Sequence, residues 1–160
     1  MFSSFDAILL VIDIQGKLAR LMHKRNALFR NVATLIQSAS ILEMPIIITE
    51  QVPEKLGKTI PEITKFMKFY QPIAKSSFSC CGEDAFVQEL ESLDRKQVIV
   101  TGIETHVCIY QTVSDLMEKN YRVQVVGDAV SSRTQDNKHF GLERIRSMGA
   151  HITSTEMIIC

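Results

Sequence analysis

Six short β-rich runs, most of them separated by longer stretches of helical period, constrain this chain more than any other feature. The runs are AILLVID (7–13), PIIIT (45–49), PIAKS (72–76), QVIVTG (97–102), RVQVVGD (122–128) and HITST (151–155). Several are apolar at consecutive rather than alternate positions, as strands buried on both faces of a parallel sheet require. Between them lie amphipathic helices. Leu28, Val32, Leu35, Ile36, Ala39 and Leu42 share one face of the clearest, which must stop at Met44 because Pro45 disfavours helical geometry in the residue before it. Phe86, Leu90 and Leu93 mark a shorter helix, Ile109, Val113 and Leu116 a third over 106–119, and 137–148 a fourth that Gly149 closes as a left-handed C-cap. Strand–helix–strand units repeating every 25 to 35 residues or so predict right-handed βαβ crossovers. The expected fold class is α/β, a three-layer α/β/α sandwich on one parallel sheet of six strands. The segment 51–70, with Pro53, Gly57 and Pro61, is a long excursion from the carboxyl end of the second strand, a place where loops often carry function.

A chain of 160 residues is long enough to bury a sizeable core, and residues 1–160 read as a single domain. Eighteen basic residues balance eighteen acidic ones. No electrostatic footprint for a nucleic-acid partner exists in that balance. No apolar run approaches the ~20 residues that span a bilayer, so no membrane partner is expected. The N-terminus lacks the basic start and cleavage site of a signal peptide. Cys80, Cys81, Cys108 and Cys160 read as reduced thiols, and a cytoplasmic location is expected. Familiar cofactor signatures fail: Gly57-Lys58-Thr59 lacks the earlier glycine of a phosphate loop, where Val52 stands, and no G-x-G-x-x-G occurs. The histidines His23, His106, His139 and His151 lack ligand spacing, which argues against a structural zinc. Ser131 and Ser132 read as turn or N-cap residues before the fourth helix.

In open α/β sheets, ligands sit outside the carboxyl ends of the strands. Asp13 ends the first strand, Lys75 the third, and Cys108 follows the fourth through the turn Gly102-Ile103-Glu104-Thr105. Together they fit acyl transfer by a cysteine nucleophile. A first-turn position and the Lys75 charge would lower the Cys108 thiol pKa. Asp13 could take the thiol proton and pass it to a leaving amine, and backbone N–H groups from Glu104 to Cys108 could hold an oxyanion. Each residue alone has a plainer reading: a helix cap, a solvated strand tip, a small core residue.

The segments LLVIDIQ, AKSSFS and VTGIETHVC, with GDAVSSR at 127–133, resemble the isochorismatase-like cysteine hydrolases over nearly the whole chain. TEQVPEKLGKTIPEI and GIETHVC together are most similar to the isochorismatase domain-containing proteins. The resemblance implies the strand order 3-2-1-4-5-6, with Asp13 as general base, Lys75 as orienting charge and Cys108 as the nucleophile of a covalent intermediate. It further implies a cis peptide at Ile103–Glu104, an oxyanion hole from the N–H groups of Glu104 and Cys108, and a substrate pocket with Gln15, Glu50, Phe78 and Thr105. Thr49-Glu50-Gln51-Val52 holds no histidine where metal-dependent nicotinamidases carry Asp-x-His, so no metal and no cofactor are implied. The expected function is metal-independent hydrolysis of a small amide or related carbonyl compound. The alternative is a catalytically weak binding or scaffold protein that keeps the hydrolase fold. A weaker third reading makes Cys108 a redox sensor resolved by Cys80 or Cys81. The expected partner is a small-molecule substrate, and the apolar tail Met157-Ile158-Ile159-Cys160 suggests a homo-oligomer in which a neighbouring subunit covers the last strand.

Overall fold

The computed structural model describes residues 3–160. Its strands are β1 (Ala7–Ile12), β2 (Ile46–Gln51), β3 (Ile73–Lys75), β4 (Gln97–Ile103), β5 (Arg122–Ser131) and β6 (His151–Thr153). They form one sheet in the order β3-β2-β1-β4-β5-β6, every neighbouring pair parallel. This is the expected sheet, order included. The helices are α1 (Gly16–Arg20), α2 (Arg25–Ile41), α3 (Pro53–Leu56), α4 (Pro61–Thr64), α5 (Asp84–Ser92), α6 (Tyr110–Glu118), α7 (Gln135–Ser147) and α8 (Thr155–Ile159).

The consecutive apolar residues of β1 serve two cores at once. Ala7, Leu9 and Val11 pack with Leu28, Val32, Leu35, Ile36 and Ala39 of α2, while Ile8, Leu10 and Ile12 pack with Phe86 and Leu90 of α5 and Val113 and Leu116 of α6. Side chains alternate across a strand, so a strand sandwiched between two helical layers must be apolar throughout. The helix α2 ends where Pro45 requires it, and α7 is followed by Gly149 at φ +95°, as a left-handed C-cap demands.

Three local expectations are corrected. Ser131 is the last residue of β5 rather than a cap, and Ser132 follows it; Thr134 is the N-cap of α7, its side chain accepting from Asn137 N. The last β-rich run stops at Thr153 because Ser154 caps a further helix, its Oγ accepting from Met157 N. The apolar tail is therefore helical, with Ile158 against the α2-side core and Met157 and Ile159 exposed. The third helix opens with a wider π-type turn, Thr105–Ile109, before α6 begins.

The site is positioned at the carboxyl ends of β1, β3 and β4. Gly102, at φ +120°, lies so close to β1 that a Cβ there would fall 2.1 Å from the Ile12 carbonyl oxygen. Only glycine allows that approach, and it sets the turn bearing Cys108 beside the residue after Ile12. The excursion after β2 is folded back over this edge by α3, α4 and an antiparallel bridge between Gln15 and Thr59.

Candidate active site

Asp13 leaves β1 in the left-handed region, at φ +55°. Aspartate tolerates this conformation better than most residues, and here it turns a strand end into a buried corner. Its N–H donates to the Thr49 carbonyl oxygen (3.1 Å), and the Thr49 hydroxyl donates to Asp13 Oδ1 (2.8 Å). The other oxygen, Oδ2, lies 2.8 Å from Lys75 Nζ, with both side chains almost fully buried.

Lys75 has three N–H donors, and three oxygens compete for them. Nζ donates to Gln51 Oε1 (2.5 Å), the Ser77 carbonyl (3.0 Å) and the Phe78 carbonyl (2.8 Å). Asp13 Oδ2 is thereby held by charge and left without a hydrogen-bond partner, one of two such buried side-chain atoms among the described residues. A buried carboxylate oxygen with an open lone pair is an acceptor in waiting. Cys108 lies close by: its Sγ is 3.6 Å from Lys75 Nζ, the same ammonium that holds Asp13 Oδ2.

The thiol itself departs from expectation. Burial pushes Cys108 up to about 12, the Asp13 carboxylate adds to the rise, and the Lys75 charge opposes it without winning. The resting side chain is a neutral thiol, not a thiolate. Lys75 stays charged: burial disfavours its ammonium, but the nearby Asp13 carboxylate favours it and its pKa is raised.

The remaining sequence-based candidates divide. The buried Gln15 amide is spent on the excursion, its Nε2 donating to the carbonyls of Gln51 (3.0 Å) and Gly57 (2.7 Å) and its Oε1 accepting from Gln51 N (2.6 Å). Glu50 is likewise committed, its Oε2 accepting from Thr59 N (2.8 Å), Thr59 Oγ1 (2.7 Å) and the Tyr70 hydroxyl. Both act as clamps that seat the segment after β2. Phe78 is half exposed beside the carbonyl that holds Lys75. Thr105 is fully buried at the start of the π turn, and its Oγ1 is the second unpartnered atom. The carboxylate of Glu104 accepts from Arg133 N (3.0 Å) and Nε (3.1 Å), anchoring the turn to the segment after β5. The Ile103–Glu104 peptide is cis, as the resemblance implied.

Sequence reasoning passed over Thr49 and Gln51, which contact Asp13 and Lys75 directly. Their place near the end of the second strand, Thr49 in register with Ile12 and Gln51 with Lys75, was the available signal. All four cysteines are free. Cys80 is fully buried, with its Sγ 3.9 Å from Thr49 Oγ1, whereas Cys81 lies in the field of Asp115 and Lys119. Among the described residues no group of three His, Cys, Asp or Glu side chains is placed to hold a metal ion, and no helix is long and apolar enough to cross a membrane. An apolar depression of about 220 Å³ lined by Leu9, Leu35, Met44, Ile99 and Ile158 lies at the opposite end of the strands and holds none of these reactive groups.

The same constellation can be set beside known proteins. The profile of the isochorismatase domain family matches residues 7–157. A secreted isochorismatase effector of Phytophthora sojae is 37% identical over 158 residues, covering 96% of this chain and 75% of its own. Isochorismatase domain-containing protein 2 of zebrafish (Danio rerio) is 38% identical over 158 residues, covering 98% of this chain and 79% of its own. The structure of a protein described as the MAR1 ribonuclease of Caenorhabditis elegans superposes with a TM-score of 0.92 at 36% identity, covering 99% of this chain and 81% of that one. The fold is also that of YcaC from Escherichia coli, described as an octameric hydrolase of unknown specificity (TM-score 0.93, 24% identity, 99% of this chain and 80% of that one). With the profile spanning almost the whole sheet and relatives well above 30% identity, the chain belongs to the isochorismatase family of hydrolases.

Proposed function

We propose that this protein is a metal-independent cysteine hydrolase of a small amide or related carbonyl compound, with residues 1–160 acting as one domain. The observation that carries the reading is the open lone pair on buried Asp13 Oδ2, 2.8 Å from a Lys75 ammonium that also lies 3.6 Å from Cys108 Sγ. As substrate arrives, the Cys108 S–H proton passes to Asp13 Oδ2 while Sγ attacks the carbonyl carbon. The N–H groups of Glu104 and Cys108 receive the charge that develops on the carbonyl oxygen. Collapse breaks the C–N bond, Asp13 returns the proton to the leaving nitrogen, and a thioester remains on Cys108. Water then gives a proton to Asp13, attacks the thioester carbon and releases the acid, and Asp13 reprotonates the thiol. Lys75 stays charged throughout and holds Asp13 Oδ2 beside it. Cys108 is 7% exposed, which supports a small substrate. A homo-oligomer and a cytoplasmic location complete the proposal, supported by the exposed Met157 and Ile159 of α8 and by four free thiols.

The test is turnover and intact-mass analysis against a panel of small primary amides. Wild type is expected to accumulate an acyl adduct on Cys108, and Cys108→Ala and Asp13→Asn to remain folded and lose turnover. Retained turnover in either variant overturns the reading. One observation favours a second reading: a triad this buried, with a neutral thiol, also suits a binding protein with little catalysis. In that case an oligomer or partner complex survives Cys108→Ser unchanged and no amide turns over. The activity named for the C. elegans relative would require phosphate neutralisation, for which eighteen basic and eighteen acidic residues provide no excess.

A further inference from the structure

The Asp13 carboxylate has two oxygens, and Oδ2 is without a hydrogen-bond partner. What orients it is a residue on the neighbouring strand. Thr49 is fully buried at the carboxyl end of β2, paired with Ile12 in the parallel ladder. It grips Asp13 twice, through its carbonyl to the Asp13 N–H and through its hydroxyl to Oδ1. A threonine hydroxyl has one proton to give. Cys80 Sγ lies 3.9 Å away on the other side as a donor to Thr49 Oγ1. Cys80 is held as a thiol by burial, so the donor direction runs one way, from Cys80 to Thr49 to Asp13.

We propose that Thr49 is a positioning residue of the active site: its hydroxyl occupies Asp13 Oδ1 so that Oδ2 alone is presented, unpartnered, to the Cys108 thiol. The inference rests on the hydrolase reading and deepens it, because it states why this carboxylate, left-handed and buried, acts as a base rather than as a cap. A donor on Oδ1 stabilises the ionised form of the carboxylate and locks its rotation. Without it, the carboxylate loses that stabilisation and is free to turn Oδ2 away.

The experiment is the pre-steady-state burst of p-nitrophenyl acetate, a chromogenic acyl donor, followed from pH 4 to 9 with Cys108→Ala as the control. Wild type is expected to show a Cys108-dependent burst with an acid limb. Thr49→Val is isosteric and suited to a strand. It is expected to move that limb up by about one pH unit, a roughly tenfold slower burst below the midpoint, as loss of a hydrogen bond to a charged acceptor implies. Thr49→Ser, which restores the hydroxyl, is expected to restore the limb, and Thr49→Ala takes the place of the valine variant should that one fail to fold. A Cys108-dependent burst whose acid limb is unmoved in Thr49→Val, or is not recovered by serine, overturns the role of Thr49 and leaves the hydrolase reading standing. A wild-type protein with no Cys108-dependent burst overturns both.

Discussion

The Asp13–Lys75 pair should behave as a buried unit whose halves are costly to remove singly and cheap to remove together. At 2.8 Å, with an effective dielectric near 20, the attraction between the two charges is about 6 kcal/mol. Most of that is offset by desolvation, so the pair's net contribution is small, but a lone survivor keeps the desolvation cost without the attraction. Lys75→Met leaves the Asp13 carboxylate facing methylenes and strands three acceptors, Gln51 Oε1 and the carbonyls of Ser77 and Phe78. A loss of about 3–5 kcal/mol is expected. Asp13→Asn costs less, about 1–3 kcal/mol, because the ammonium keeps those three acceptors and the amide can still accept from Thr49. The double variant is expected to recover at least about 2 kcal/mol relative to the sum of the singles. Urea unfolding of all four proteins, with m-values checked for constancy, measures the coupling. If the two singles add within about 0.5 kcal/mol, the charges do not interact as their geometry says, and the account of Asp13 Oδ2 as an ionised, lysine-held base collapses.

Three further outcomes follow from neighbouring contacts. Burial holds Cys80 up to about 12, above an unfolded thiol near ~8.5; its stabilisation is therefore full below about pH 8.5 and lost as pH rises toward 12. Unfolding free energies from urea titrations should fall over that window at up to about 1.4 kcal/mol per pH unit for this thiol, and less steeply in Cys80→Ala; equal slopes would refute it. A Cβ on Gly141 of α7 would sit 2.9 Å from His106 N, from the Thr105 carbonyl carbon and from Thr105 Cγ2. Gly141→Ala should thus cost about 1–3 kcal/mol by overpacking and slow any Cys108 acylation, since α7 would push on the π turn; unchanged stability in urea would show that the turn yields freely. Tyr70→Phe removes a hydroxyl from the buried Glu50 carboxylate and should cost about 1.5–3 kcal/mol, with faster proteolysis confined to the segment after β2; cleavage elsewhere would count against the clamp.

The sheet and the three reactive residues were legible because each leaves a local trace. Consecutive apolar residues in β1 can only be satisfied between two helical layers, and a charged residue closing such a run must lie at the strand's end. The helix α8 left a weaker trace. His151-Ile152-Thr153-Ser154-Thr155 has the β-branched residues of a strand, but Ser154 caps a helix instead, and the burial of Ile158 against α2 decides the outcome. Gln15 and Glu50 illustrate a different limit. A polar residue next to a strand end looks the same in sequence whether it faces a ligand or clamps a loop. Its partners here, Gly57 and Gln51 for one and Thr59 and Tyr70 for the other, lie up to 42 residues away. Thr49 was hidden for the same reason: its significance lies in register across β1 and β2, not in its neighbours along the chain.

Charge counting from sequence also misjudged the thiol, and the reason bears on how the site would work. The Lys75 charge does lower the Cys108 pKa, but burial and the Asp13 carboxylate together outweigh it. Here Asp13 lies 2.8 Å from the same ammonium, so Cys108 meets a neutralised pair, and burial then dominates and holds the thiol up to about 12. A preformed thiolate would react with any accessible electrophile. Under the proposed reaction, a neutral thiol beside an open carboxylate would react only when a substrate's carbonyl is seated and the proton can leave for Oδ2 during attack. Selectivity toward seated acyl groups is the consequence. Iodoacetamide, which offers its reactive methylene rather than an acyl carbon, should alkylate Cys108 more slowly than the exposed Cys160 from pH 6 to 8, by peptide mass mapping. An acyl donor that fits the site should reverse that order, and Asp13→Asn should abolish the reversal while leaving iodoacetamide labelling of Cys160 unchanged. If Cys108 outpaces Cys160 toward iodoacetamide at pH 6, the thiolate is preformed, and proton transfer to Asp13 is not part of the attack.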